Sequence, residues 1–141
     1  MRFDLTVNEF TMEMITRKQI KVFGEQFWRP YIHVRDAARA IATVLEAPAE
    51  RVAHRVFNVG DTNQNFQKKQ LVELIRPHAP DAVVEYVHKT EDPRDYRVDF
   101  TRIRDELGFK ITLTVPDGIA EIAHLVGSGI LKDLANPAFR N

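Results

Sequence analysis

Apolar residues recur along the chain in two rhythms, every three or four positions and every second position, and the switches between them predict its elements. Leu5, Val7, Phe10, Met12, Met14 and Ile15 partly fit a helical face, with Asn8 near its beginning. "KQIKVFG" then reads as a strand with Ile20 and Val22 on one face, closed by Gly24. Tyr31, Ile32 and Val34 read as a second short strand. Asp36 follows where a helix N-cap belongs, ahead of Ala37, Ala38, Ile41, Val44 and Leu45, and Pro48 ends that helix. "RVFNVGD" reads as a compact buried strand through Val56, Phe57 and Val59.

Asn63 or Asn65 is placed to cap a helix from about Phe66 to Arg76, with Leu71, Val72, Leu74 and Ile75 inward. "AVVEYVH" alternates as a further strand. Beyond the polar loop "KTEDPRDYR", a helix through Ile103 and Leu107 is expected to stop at Gly108. "TVPD" is a capping-box pattern opening a last helix through Ile119, Ile122, Ala123 and Val126. The tail, residues 127–141, is expected to be loosely ordered. This order of helix, strand, strand, helix, strand, helix, strand, helix, helix places the chain in the α/β class, with a small mixed sheet and flanking helices.

Composition narrows the function classes. A chain of 141 residues has room for one packed core, and 44% hydrophobic with 28% charged residues marks it as globular rather than disordered. Basic and acidic residues balance at 20 each, which argues against a general nucleic-acid or acidic-membrane binder. A local anion site stays open. With no cysteine there is no disulfide, thiolate metal site or cysteine nucleophile, and a cytoplasmic home is the default. No apolar run approaches the roughly 20 residues that span a bilayer. Met1 to Phe10 carries Arg2, Asp4, Asn8 and Glu9 interspersed, unlike a signal peptide, as if the chain started on a helix already under way. The histidines, at 33, 54, 78, 88 and 124, lack metal-ligand spacing, and His33 reads as a core residue.

Arg29 stands out because a guanidinium at the edge of a packed element is suited to holding an anion, while a solvated arginine covering apolar surface with its stem is the bland alternative. "VFG", then "WRPYIHVRDAARAI", "VFNVGD", "YRVDFTRIRDELGF" and "TVPDGIAEI" resemble, in that order, the C-terminal part of the extended short-chain dehydrogenases, the NAD-dependent nucleotide-sugar epimerases and dehydratases. The resemblance runs from about Met1 to about Val126. It implies that residues 1–126 form the nucleotide-sugar-binding region with the closing elements of a Rossmann sheet, in a family that uses NAD. Such enzymes take a hydride from the sugar onto NAD, epimerise or eliminate, and return it.

The family's catalytic parts have no match in this sequence. No glycine run forms G-x-x-G-x-x-G, and no tyrosine (31, 86 or 96) precedes a lysine by four residues. The expectation is therefore that the N-terminal Rossmann half is absent, that the chain alone binds no NAD and is inactive, and that a Rossmann half in trans could complete it. A stand-alone module that binds a nucleotide sugar or a protein is the alternative. Apolar surfaces left bare by a missing half are expected to drive self-association.

Residue by residue, the resemblance implies that Asn8 bonds the phosphates, although a local cap is an equal reading. Lys21, Val22 and Phe23 resemble the strand that packs along the base, with the Phe23 ring otherwise in the core. Arg29 matches the arginine that contacts the diphosphate, and Asp36 the aspartate that starts the next helix. Lys89 stands where relatives carry the arginine of Arg-Pro-Gly, which makes Arg94 the better second phosphate ligand. Its alternative is a solvated turn paired with Asp92 and Asp95. The base, the sugar and the reaction subtype are not readable from these residues.

Overall fold

A computed structural model describes residues 2–91, 94–134 and 136–140. The helices are α1 (Thr6–Thr16), α2 (Val34–Glu46), α3 (Ala49–Val52), α4 (Lys68–Ile75), α5 (Thr101–Leu107) and α6 (Val115–Gly127). The strands are β1 (Gln19–Phe23), β2 (Trp28–Pro30), β3 (Asn65–Gln67) and β4 (Val83–Val87). This is an α/β chain with two small sheets and flanking helices, as the periodicity predicts. Where its length suggests one core, it divides into two compact units: residues 1–27, 67–93 and 116–141, and residues 28–66 with 94–115.

In the first unit β1 pairs in parallel with β4, from Gln19 beside Val83 to Phe23 beside Val87. A parallel pair needs a crossover, and α4 lies in the connection that supplies it. Alternation along β1 buries Ile20 and Val22 and leaves Gln19, Lys21 and Phe23 outside. Leu71, Val72 and Ile75 of α4 are fully buried, as the inward face requires, although the cap is Gln67 rather than Asn63 or Asn65. The Gln67 N–H donates to the Gln70 side chain at 2.7 Å. Gly24 ends β1 at φ +61°, and a Cβ there would stand 2.4 Å from the Phe27 ring.

A second cluster in this unit joins Phe3, Met12 and Ile122 to Val126, Leu131, Leu134 and Phe139. The Phe3 and Phe139 rings meet edge to face at 5.6 Å, and the Phe3 N–H donates to the Phe139 carbonyl. Leu131, Leu134 and Phe139 belong to the segment expected to be loose.

The second unit departs further from the sequence reading. The short strand is Trp28–Pro30, not Tyr31–Val34, and it pairs with β3. Val56 to Val59 forms no strand; Val56 is 77% exposed, while Phe57 and Val59 lean on a core of Ala40, Ile103 and Phe109. α2 begins three residues earlier than expected because His33 caps it, its Nδ1 accepting from the Arg35 N–H at 3.2 Å. His33 is thus a cap and not a core residue.

Asp36 is displaced into the helix and fully buried. Its carboxylate accepts from the Thr112 N–H (2.9 Å), the Leu113 N–H (2.8 Å), the Thr112 hydroxyl (2.8 Å) and Arg39 (2.5 Å). Burial alone would raise its pKa, but the Leu113, Thr112 and Arg39 bonds outweigh it and hold the carboxyl below its ordinary value. α2 therefore buries an aspartate and Ala40 while Val34, Ala38, Ile41 and Leu45 form an exposed stripe. Ile41 and Leu45, expected inside, are 63% and 79% exposed. Their spacing of three and four residues describes a helical face, but periodicity does not say which face has a partner.

Candidate functional site

The predicted site residues fall on both units. In the first, an open groove of about 760 Å³ runs between α1 and the outward face of β1. That volume lies within the range of small-molecule clefts. Thr6, Glu9, Glu13 and Arg17 reach it from α1 at spacings of three and four, and Lys21 and Phe23 reach it from β1, whose alternation turns both outward. Lys68 at the start of α4 and Glu85 of β4 complete its charged lining.

Most of these charges are already matched. Arg17 pairs with Glu13 at 2.5 Å and Lys21 with Glu85 at 3.0 Å, while the Lys68 ammonium donates to the Phe23 carbonyl at 2.8 Å. Glu9 is the exception: its carboxylate makes no hydrogen bond or ion pair among the described residues. Burial raises its pKa, and the neighbouring Glu13 charge adds to that.

Three predicted residues stand outside the groove lining. Val22 is fully buried and stands beside Tyr86 in the β1–β4 ladder. The Asn8 amide donates to the Arg2 carbonyl at 2.8 Å, which ties down the segment before α1. Lys89 lies over the Phe23 ring at 5.4 Å from its centroid. Phe23 itself is 46% exposed and so is not the core residue of its alternative reading.

In the second unit Arg29 projects from β2, its guanidinium over the Tyr96 ring at 5.9 Å and donating to the Trp28 carbonyl at 2.6 Å. The Tyr96 N–H reaches the Trp28 carbonyl, and the Trp28 N–H donates to Asp95 at 2.7 Å, so β2 carries the 95–96 stretch alongside it. A guanidinium is a planar fork of donors suited to an oxygen-rich anion, and an aromatic ring can carry its face. Asp95, named as a partner of Arg94, accepts from the Trp28 N–H of β2. Arg94 is exposed, and Asp92, its other named partner, lies outside the described residues.

Residues 4–60 match the model of the NAD dependent epimerase/dehydratase family. The matched stretch holds Asn8, the Lys21–Phe23 strand and Arg29. A dTDP-glucose 4,6-dehydratase of Streptomyces niveus is 32% identical over 123 residues, 79% of this chain and 33% of that protein. The chain belongs to the NAD-dependent epimerase/dehydratase family. The fold agrees with this membership. RMD from Pseudomonas aeruginosa, solved with NADPH, superposes with a TM-score of 0.76 at 18% identity over 92% of this chain and 44% of that one. UDP-glucose 4-epimerase from Thermotoga maritima, solved with UDP-glucose, gives 0.74 at 23% identity over 90% and 40%. The chain thus spans less than half the length of each of these three proteins.

Sequence reasoning passed over two residues here. Tyr96 lies 67 positions from Arg29, and no local pattern announces that pairing. Glu9 was open to discovery through the Thr6, Glu9, Glu13 stripe on α1, which is polar at the spacing where a buried helix would be apolar.

Proposed function

We propose that residues 1–126 are the nucleotide-sugar-binding portion of an NAD-dependent epimerase or dehydratase, with Arg29 as the principal diphosphate ligand and the β1 strand as the base-side wall. The observation that carries this is the seating on Tyr96 of Arg29, which itself lies inside the stretch matched by the family. A diphosphate carries two charges at least, and each charge-assisted bond from a guanidinium is worth about 1.5–3 kcal/mol. Asn8, Arg94 and Lys89 are secondary ligands in this reading. Lys21, Val22 and Phe23 border the base, Val22 through its backbone.

The sequence holds neither the glycine fingerprint that cradles NAD nor the Tyr-x-x-x-Lys pair, so its own residues bind and orient the sugar nucleotide and the hydride chemistry is NAD's. A Rossmann half, in the same or another chain, supplies that chemistry. Trp28 is the sole tryptophan and adjoins Arg29, so its fluorescence reports the titration. UDP-, dTDP-, GDP- and CDP-sugars are added with and without NAD. Saturable change with one nucleotide class, unaffected by NAD, supports the reading, and a flat response to all of them refutes it for the chain alone.

The α2 stripe of Val34, Ile41 and Leu45 favours a surface covered by another α/β portion or, failing that, by self-association. Sedimentation velocity tests this. A monomer at all concentrations, of high stability, favours a stand-alone, non-catalytic binding module instead.

A further inference from the structure

Arg29 holds the diphosphate in the reading above, on which this inference rests, and its guanidinium lies over the Tyr96 ring. Arg29 belongs to β2, whose ladder partner is β3. Residues 95–100, which carry Tyr96, belong to no strand and are held by single contacts instead of a ladder. At one end the Asp95 carboxylate accepts from the Trp28 N–H at 2.7 Å. The Tyr96 N–H reaches the Trp28 carbonyl at 3.4 Å, a long bond that fixes the ring weakly by itself. At the other end the Phe100 N–H donates to the Thr62 hydroxyl at 3.1 Å.

Between these contacts one side chain grips the stretch, Asn65 of β3. Its amide oxygen accepts from the Val98 N–H at 2.9 Å, and its amide nitrogen donates to the Val98 carbonyl at 2.9 Å and to the Thr62 carbonyl at 2.8 Å. An asparagine amide sets an acceptor and two donors in one plane, so it meets both polar groups of Val98 as a neighbouring strand would. Asn65 and Val98 are 33 positions apart, and all of these residues lie in the second unit. The clasp therefore ties the Tyr96 stretch to the sheet that carries Arg29. We propose that Asn65 is a positioning residue for the diphosphate site: by clasping Val98 it holds the Tyr96 ring against Arg29, and so orients the guanidinium without touching the ligand.

The test is a calorimetric titration with inorganic pyrophosphate, which presents the diphosphate alone. It is run on wild type, Asn65→Ala, Tyr96→Leu, the double variant and Arg29→Ala, each first checked for native circular dichroism. Asn65→Ala and Tyr96→Leu should each weaken binding about fivefold, and the double variant no more than either alone, because residues acting through one contact are not additive. A general loss of stability would not give that pattern. Where Asn65→Ala fails to fold, Asn65→Asp takes its place, since it keeps the acceptor for the Val98 N–H. Wild-type affinity in the Asn65 variant, or losses that multiply to about 25-fold in the double variant, overturn the role of Asn65. In that case, if Arg29→Ala still weakens binding, the diphosphate reading stands without it. Pyrophosphate bound equally by wild type and Arg29→Ala, or bound by neither, overturns both.

Discussion

Asp36 and Glu9 are both helical carboxylates, and their surroundings differ as much as two carboxylates in one chain can. Asp36, in the second unit, is fully buried and receives two backbone N–H groups, a hydroxyl and a guanidinium. Glu9, in the first, is half-buried beside an open groove and accepts no hydrogen bond among the described residues, with Arg140 and Arg17 acting on it only as neighbouring charges. The pKa of the first is held down and that of the second is pushed up, so the same chemical group stabilises one unit and is a mild cost to the other. The difference teaches which charge the fold builds into its own hydrogen-bond network and which it leaves at the wall of an open groove.

Removing Asp36 is the most damaging way to break this comparison. Asp36→Ala leaves the Thr112 and Leu113 N–H groups buried without an acceptor, and loss of one side of such a buried charged network costs about 3–5 kcal/mol. Urea denaturation followed by Trp28 fluorescence should show a midpoint shift of that size. An unchanged midpoint would mean that the 112–113 segment does not depend on the aspartate.

Acid sharpens the comparison with a smaller effect. Asp36 has a lowered folded pKa, so its contribution is complete above the ordinary aspartate value of about 3.9 and is lost as pH falls through the folded value. The stability gap between wild type and Asp36→Asn should therefore close on acidification. For Glu9 the sign reverses. Its raised folded pKa means that stability declines as pH rises from the ordinary glutamate value to the folded one. Glu9→Gln should be at least as stable as wild type at pH 7, with the difference vanishing below about pH 3. A destabilised Glu9→Gln at pH 7 would assign Glu9 a structural partner.

Much of the fold was legible because it follows from local rhythm. β1 alternates as written, β4 forms where expected although Glu85 and Tyr86 are both exposed, α5 stops at Gly108 in the left-handed conformation at φ +70°, and α6 begins where "TVPD" places it. The readings that failed needed partners far along the chain. Trp28–Pro30 is a strand because Asn65–Gln67 lies beside it, while Val56–Val59, apolar and β-branched, has no strand partner among the described residues and stays irregular. Asp36 looked like a cap since its acceptors' partners, Thr112 and Leu113, are 76 and 77 positions away. The candidate site divides in the same way: Arg29, Lys21 and Phe23 were visible as a motif, whereas the seat of Arg29 on Tyr96 and the place of Glu9 in the groove are properties of folded neighbours.

The smallest effect on stability is expected on α2. Ile41→Lys with Leu45→Lys changes two exposed residues, so the fold should shift by no more than about 0.5 kcal/mol per site. Sedimentation velocity should nonetheless show self-association weakened in this double variant. Strong unfolding instead would mean that the stripe is covered within the chain.

The most direct test of the account is a calorimetric comparison of wild type, Arg29→Lys and Arg29→Ala with nucleotide sugars. The account predicts saturable binding by wild type, weakened about 10- to 100-fold in Arg29→Ala and only partly restored by lysine, since a point charge replaces a fork of donors. Equal isotherms for wild type and Arg29→Ala would contradict it.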